Sequence, residues 1–150
     1  MRVRIAGGAA LIAVCVTIGA CDERLSDLTG PTPELTTTFS SIQRDIFQAA
    51  DSSGRPACTG CHTSAGRVPP LGLDLTGAVA YANLVNAAGR GKAGTVRVVP
   101  GDPENSYLVH KLEGRPGIVG ERMPRGAGPF LTDGQMLVIK RWIELGAAND

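Results

Sequence analysis

Aromatic and charged residues are both scarce in this chain of 150 residues. Only six residues are Phe, Trp or Tyr, and Asp, Glu, Lys and Arg together make up 19%. The net charge of +1 argues against a polybasic nucleic-acid-binding protein, and the low charged fraction argues against a disordered chain. Glycine and proline make up a fifth of the residues, so we expect one modest domain with many loops. Its core must be built from aliphatic side chains or from something that is not a side chain.

The chain begins with an apolar run that is too short to span a membrane. Residues 5–20 carry no charge, but a membrane helix needs about 20 residues. Because the run follows the basic segment Met1-Arg2-Val3-Arg4, it is typical of a secretory signal peptide. It ends in Ile18-Gly19-Ala20-Cys21, which resembles the lipobox of bacterial lipoproteins. That resemblance implies a lipid on Cys21, and an ordinary signal peptide is the alternative.

These signals predict three regions and a location. We expect residues 1–20 to be removed as a lipoprotein signal peptide, residues 21–38 to form a flexible tether, and residues 39–150 to form the domain. The mature chain loses Arg2 and Arg4 and then has a net charge of −1. The protein is therefore expected in the bacterial cell envelope, lipid-anchored to a membrane and facing the periplasm.

The four cysteines do not fit a disulfide framework. Cys15 leaves with the signal peptide and Cys21 is assigned to the lipid, so two cysteines remain, in the motif Cys58-Thr59-Gly60-Cys61-His62. A thioredoxin-like redox pair would follow a strand, whereas residues 52–56 are typical of a loop. A zinc site would need a second ligand pair, and the only other histidine is His110. The spacing fits one covalently attached c-type haem, held by thioethers from Cys58 and Cys61 and ligated by His62.

The region from about residue 39 onwards resembles a monohaem cytochrome c domain of the His/Met type. The resemblance rests on Pro100-Gly101-Asp102-Pro103-Glu104-Asn105-Ser106, Arg122-Met123-Pro124 and Trp142-Ile143-Glu144-Leu145-Gly146-Ala147. It implies an all-α fold of three to five helices wrapped around a covalent haem, with crossing N- and C-terminal helices. It also implies that a proline carbonyl, from Pro69 or Pro70, accepts the Nδ1–H of His62. The polar stretch before Cys58 is longer than in a minimal cytochrome.

Apolar periodicity and capping residues predict four helices and no strands. The first is capped by Ser40 or Ser41 and ends near Ala50. The second spans 79–88 and is capped by Gly89. The third follows Asp102 and stops at Gly114, with Leu108 and Leu112 buried. The fourth starts at a Thr132/Gln135 capping box, ends at Gly146 and has Val138, Trp142 and Leu145 on its apolar stripe. The expected contact between the first and last helices joins Ile42, Ile46 and Phe47 to Ile139, Trp142 and Ile143.

Three side chains are candidates for the second axial ligand of the iron. Met123 lies in a loop next to Pro124, where it is free to approach the haem, and the Arg-Met-Pro resemblance favours it. Met136 lies in the first turn of a helix, where methionine usually fills the core. His110 lies in the middle of a helix, and an open or exchangeable position is a further alternative. Arg97, Arg122 and Arg125 are candidates for pairing with the haem propionates, or else are solvated surface residues.

His/Met ligation predicts a function without bound substrate. It favours ferrous iron and leaves no open coordination position. We therefore expect a one-electron carrier that is not an enzyme. Its expected partners are redox proteins and the membrane to which the lipid anchors it, and we expect it to bind neither nucleic acid nor an organic substrate. Two alternatives remain. One is a haem sensor or peroxidase-like enzyme with a displaceable Met123, and the other is a docking or structural haem subunit of a larger redox complex.

Overall fold

A computed structural model describes residues 35–150 of the protein, and these residues form an all-α fold. The predicted signal peptide, Cys21 and most of the predicted tether lie outside the described residues. The helices are α1 (Phe39–Ile42), α2 (Gly77–Leu84), α3 (Tyr107–Glu113) and α4 (Asp133–Glu144). A π-helical turn, Gln43–Phe47, extends α1, and 3₁₀ turns occupy Cys58–Gly60 and Pro70–Gly72. Within residues 35–150 the extended segments make only isolated β-bridges, so the expected class is confirmed.

The start and the end of α1 both differ from the prediction. Thr38 stands at the N-cap instead of Ser40 or Ser41, and its Oγ1 accepts a hydrogen bond from the Ser41 N–H at 3.3 Å. The helical stretch ends at Phe47 rather than near Ala50. The guanidinium of Arg55 donates to the Ile46 carbonyl in the last turn and to the Ala49 carbonyl just beyond it, so backbone acceptors at this end are satisfied by a side chain from outside the helix.

The second helix is shorter than predicted. It ends at Leu84, because Val85 adopts an extended conformation and forms a parallel bridge with Val98. The predicted C-cap at Gly89 is therefore wrong. Gly89 instead packs closely against Thr95, whose Oγ1 leaves no room for a Cβ at that position.

The third helix also starts later than predicted. Asp102 caps a turn before the helix, because its Oδ1 accepts a hydrogen bond from the Asn105 N–H at 3.0 Å. The N-cap position of α3 is occupied by Ser106. The predicted end is confirmed, because Gly114 has the left-handed conformation that closes the helix. Of the two leucines expected inside, Leu112 is buried but Leu108 only partly so.

The fourth helix is the one that the sequence predicts best. Thr132 Oγ1 accepts from the Gln135 N–H at 3.2 Å, and Gln135 Oε1 accepts from the Thr132 N–H at 3.0 Å, which completes the capping box. Gly146 follows the end with a positive φ, as predicted. The prediction that Leu145 belongs to the buried stripe is wrong, because this residue lies just beyond the helix and is 61% exposed.

One hydrophobic core connects α1 and α4, as expected. The rings of Phe39 and Trp142 lie 5.4 Å apart, and the core contains the six side chains predicted for this contact, namely Ile42, Ile46, Phe47, Ile139, Trp142 and Ile143. Leu35, which falls in the predicted tether, is also buried in this core. Among the described residues 35–150, the segments between the helices hold every candidate site residue except His110 and Met136. None of the helices in residues 35–150 is long and apolar enough to cross a membrane.

Candidate functional site

The Cys58–His62 motif forms a tight turn at the edge of the core. The N–H groups of Cys61 and His62 both donate to the Cys58 carbonyl, at 3.1 and 2.8 Å. Both cysteines are free thiols, with Cys58 partly buried and Cys61 exposed. Burial raises the pKa of the Cys58 thiol, although the positive charge of Arg55 opposes this effect. The turn therefore presents two thiols of different accessibility directly before a histidine.

The polar stretch before Cys58 contains a buried ion pair that sequence reasoning missed. The Arg55 side chain is fully buried, and its Nε donates to Asp51 Oδ2 at 2.9 Å. Its Nη1 lies 3.1 Å from the Ile46 carbonyl oxygen and 4.0 Å from Cys58 Sγ. Through Arg55, the longer polar stretch before Cys58 therefore connects the cysteine turn to the end of the helical stretch that begins with α1. The only available signal was an Asp and an Arg four residues apart around Gly54.

The imidazole of His62 is held by a backbone carbonyl, but not by the expected one. Its Nδ1 lies 3.1 Å from the carbonyl oxygen of Leu73. The prediction of Pro69 or Pro70 as acceptor is therefore wrong. Their carbonyls accept from the N–H groups of Gly72 and Leu73 instead, at 2.9 and 3.0 Å. The two prolines instead open the 3₁₀ turn that brings Leu73 back towards His62. A backbone hydrogen bond from the Leu75 N–H to the His62 carbonyl, at 2.9 Å, also holds the segment around Leu73 close to His62.

The surroundings of His62 favour its neutral form. Burial lowers its pKa, the hydrogen bond with Leu73 acts in the opposite direction, and the positive charge of Arg97 lowers it further. A neutral imidazole whose Nδ1 is bound to a carbonyl is a donor at Nδ1 and has its Nε2 lone pair free. That is the form in which histidine ligates a metal.

Met123 lies in a loop that is fastened to α3. Its N–H donates to the Lys111 carbonyl at 2.9 Å, and its side chain packs, partly buried, against the core. Arg122 Nε donates to the Leu112 carbonyl at 2.7 Å, and its guanidinium lies 3.9 Å from the ring centroid of Phe130. Arg122 therefore anchors the loop that carries Met123, which is a role that the sequence did not predict.

The other candidate residues are engaged elsewhere. His110 Nε2 lies 2.6 Å from the Glu104 carbonyl oxygen, at the turn before its own helix. Met136 is buried in the core, as its helical position suggests. Arg125 is exposed and pairs with Glu121. Arg97 is buried and donates to backbone carbonyls, so it is not a solvated surface residue.

The residues named for the site border one hydrophobic core. Cys58, Leu73 and Met123 are partly buried side chains that pack against the same cluster, although they are as many as 65 residues apart in sequence. In the part of the chain that the structure describes, no three His, Cys, Asp or Glu side chains converge as a chelating group. Comparison of the chain with protein-family models, with curated proteins and with solved structures finds no match in any of the three.

Proposed function

We propose that the protein is a c-type cytochrome that carries single electrons through one covalently attached haem. The observation that carries this proposal is the fixed imidazole of His62. Its Nδ1 is bound to the Leu73 carbonyl, and it follows directly after the two free thiols of the cysteine turn. Metal-ligating histidines generally have this second hydrogen bond, which fixes the tautomer and the orientation of the ring.

The donor chemistry of the chain fits a haem better than a chelated ion. Cys58, Cys61 and His62 do not converge on one point, as a zinc ion would require. Two thioethers and an axial imidazole would instead bind separate atoms of a macrocycle. Its apolar surface would also supplement a core that is poor in aromatic residues. The all-α arrangement with contact between α1 and α4 is consistent with the cytochrome c fold.

Met123 is the proposed second axial ligand. Its loop is held on α3 by backbone and Arg122 hydrogen bonds, and its side chain borders the same core as Cys58. With His62 and Met123 holding the iron, the haem would supply one-electron exchange that needs no bound substrate. We also propose that Cys21 carries a lipid, that the mature protein faces the periplasm, and that its partners are redox proteins.

The test is expression of the full chain in a bacterium with cytochrome c maturation enzymes. We expect the mass of the purified protein to include one haem that survives denaturation, and Cys58→Ser with Cys61→Ser to abolish it. Met123→Ala should remove the far-red band of iron–thioether ligation and lower the reduction potential, whereas Met136→Leu should leave both unchanged. A chain without covalent haem would contradict the proposal. If Met123→Ala leaves the spectrum unchanged, Met123 is not the ligand, and ready binding of added ligands to the wild type would then favour the sensor or peroxidase-like alternative.

A further inference from the structure

Two buried charged residues hold the loop that supplies the Leu73 carbonyl, Asp74 as the next residue in the chain and Arg97 through a hydrogen bond to Leu71. Asp74 is 5% exposed and Arg97 is 8% exposed. In residues 35–150 neither of them forms a salt bridge, and all their hydrogen-bond partners are uncharged groups. Hydrogen bonds to charged groups are stronger than those between neutral groups, so both side chains suit the role of fixing a loop. A charge in a low-dielectric region also acts on any other charge placed near it.

Asp74 joins the segment after His62 to the start of α2. Its Oδ2 accepts hydrogen bonds from both the backbone N–H and the hydroxyl of Ser64, the first at 2.9 Å. Its Oδ1 accepts from the Thr76 N–H at 2.8 Å and from the Thr76 hydroxyl at 2.6 Å. These donors hold the pKa of Asp74 well below its usual range, so the side chain stays an anion.

Arg97 binds the same loop from a different segment of the chain. Its Nη2 donates to the Leu71 carbonyl at 2.8 Å, and its Nη1 donates to the Asn83 carbonyl at 2.7 Å. The Asn83 amide in turn donates to the Asp74 carbonyl at 3.1 Å. Asp74, Asn83 and Arg97 thus form one hydrogen-bonded chain, which we call the bracket, whose attachments at Leu71 and Asp74 flank Leu73 in the sequence.

We infer that this bracket positions the Leu73 carbonyl on His62 and that its two charges set the reduction potential of the iron in opposite directions. The inference rests on the proposed haem function. A buried anion favours the more positively charged oxidised iron, and a buried cation favours the reduced iron. Both charges lie close to the ring in the fold, because Asp74 directly follows Leu73, whose carbonyl binds His62 Nδ1 at 3.1 Å, and Arg97 binds the carbonyl of Leu71, two residues before Leu73. Asp74 and Arg97 are positioning residues, since neither touches the proposed ligand atom.

The test compares Asp74→Asn and Arg97→Gln in the haem-loaded protein, by redox titration and by mass. We expect Asp74→Asn to raise the reduction potential and Arg97→Gln to lower it. Each change should alter the ratio of reduced to oxidised protein at a fixed potential by about tenfold, or about 59 mV. Asp102→Asn is the matched control, because that carboxylate also accepts hydrogen bonds in a turn but makes no contact with the bracket. It should change the ratio less than about twofold.

Shifts of the reduction potential in opposite directions distinguish an electrostatic role from a merely structural one. A loop that is only loosened would change the potential independently of the sign of the charge that was removed. Covalent haem in all variants with both potentials unchanged, or shifted in the same direction, would overturn the inference. Absence of covalent haem from the wild type would instead overturn the proposed function.

A third variant tests the positioning role without any change of charge. Asn83→Ala removes the bridge to the Asp74 carbonyl, at a partly buried position where it is compatible with folding. In the reduced protein, we expect the His62 Nδ1–H to exchange with solvent about tenfold faster than in the wild type, as measured by NMR. An unchanged exchange rate would refute the bracket even if the two charge variants failed to take up haem.

Discussion

Breaking the buried ion pair of Asp51 and Arg55 will destabilise the protein far more than breaking an exposed pair. The Arg55 side chain is fully buried and that of Asp51 is 7% exposed. Asp51→Asn leaves the guanidinium buried with only carbonyl partners. Loss of one member of a buried pair costs about 3–5 kcal/mol of unfolding free energy. We expect about 3 kcal/mol, at the low end, because the bonds from Arg55 to the Ile46 and Ala49 carbonyls remain.

The pH dependence of this effect has a defined sign. Burial raises the pKa of Asp51, but hydrogen bonds from Ser53 and Arg55 outweigh burial and leave the pKa below the ordinary 3.8. A carboxyl whose pKa is lower in the folded state stabilises the fold above its unfolded pKa. That stabilisation is lost as the pH falls through the folded pKa. The difference between the wild type and Asp51→Asn should therefore be constant near neutral pH and shrink below about pH 4.

Urea unfolding of the haem-loaded protein, followed by circular dichroism, measures both effects. Arg141→Met is the control, because Arg141 pairs with Glu144 on the surface and both side chains are more than half exposed. The control should lose less than about 1 kcal/mol. Equal losses in Asp51→Asn and the control would refute the assignment of a stabilising buried pair. So would a difference from the wild type that stays the same between pH 7 and pH 3.

Three further predictions concern other parts of the fold. Thr132→Ala removes the capping box of α4 and should cost about 1 kcal/mol in urea unfolding, whereas Thr132→Ser should cost little. Ile139→Val creates a small cavity at a fully buried position and should cost about 1 kcal/mol, so an unchanged stability would mean that the site repacks. Hydrogen bonds from Arg115 and Lys140 lower the pKa of Glu104 to about 2. Glu104→Gln should therefore be less stable than the wild type at pH 7, and a difference that persisted at pH 2 would contradict this reasoning.

The features that the sequence predicts well depend on residues close together in the chain. The start of α4 follows from Thr132 and Gln135, three residues apart, and its buried stripe follows from the helical period. The turn at Cys58–Gly60 likewise falls in a stretch of five residues, 58–62, that the sequence singles out, whereas the attachment of haem there stays a prediction. In each case the interacting groups are neighbours in sequence, so the local pattern contains most of the information.

The features that the sequence misses depend on backbone acceptors far away in the chain. The carbonyl of Leu73 accepts from His62, and which carbonyl faces the ring depends on the turn that the prolines open. No feature of the sequence distinguishes Arg97 from an exposed arginine, because its partners, the carbonyls of Leu71 and Asn83, are brought to it only by the fold. A carbonyl is present at every position, so the identity of the acceptor residue gives no signal of its role.

The helix contact and the ligand-bearing loops of this fold are held by different kinds of interaction. The contact of α1 with α4 is apolar and buried, whereas His62 and Met123 lie in loops held by hydrogen bonds to carbonyls. Since any residue supplies the acceptor, substitution of Leu73 or Leu112 would keep these bonds, while loss of a side-chain donor such as Arg122 would break one. A few donor side chains therefore control how the loops present the proposed ligands. The contact between α1 and α4 depends instead on buried apolar side chains, so the two sets of interactions can be tested by separate substitutions.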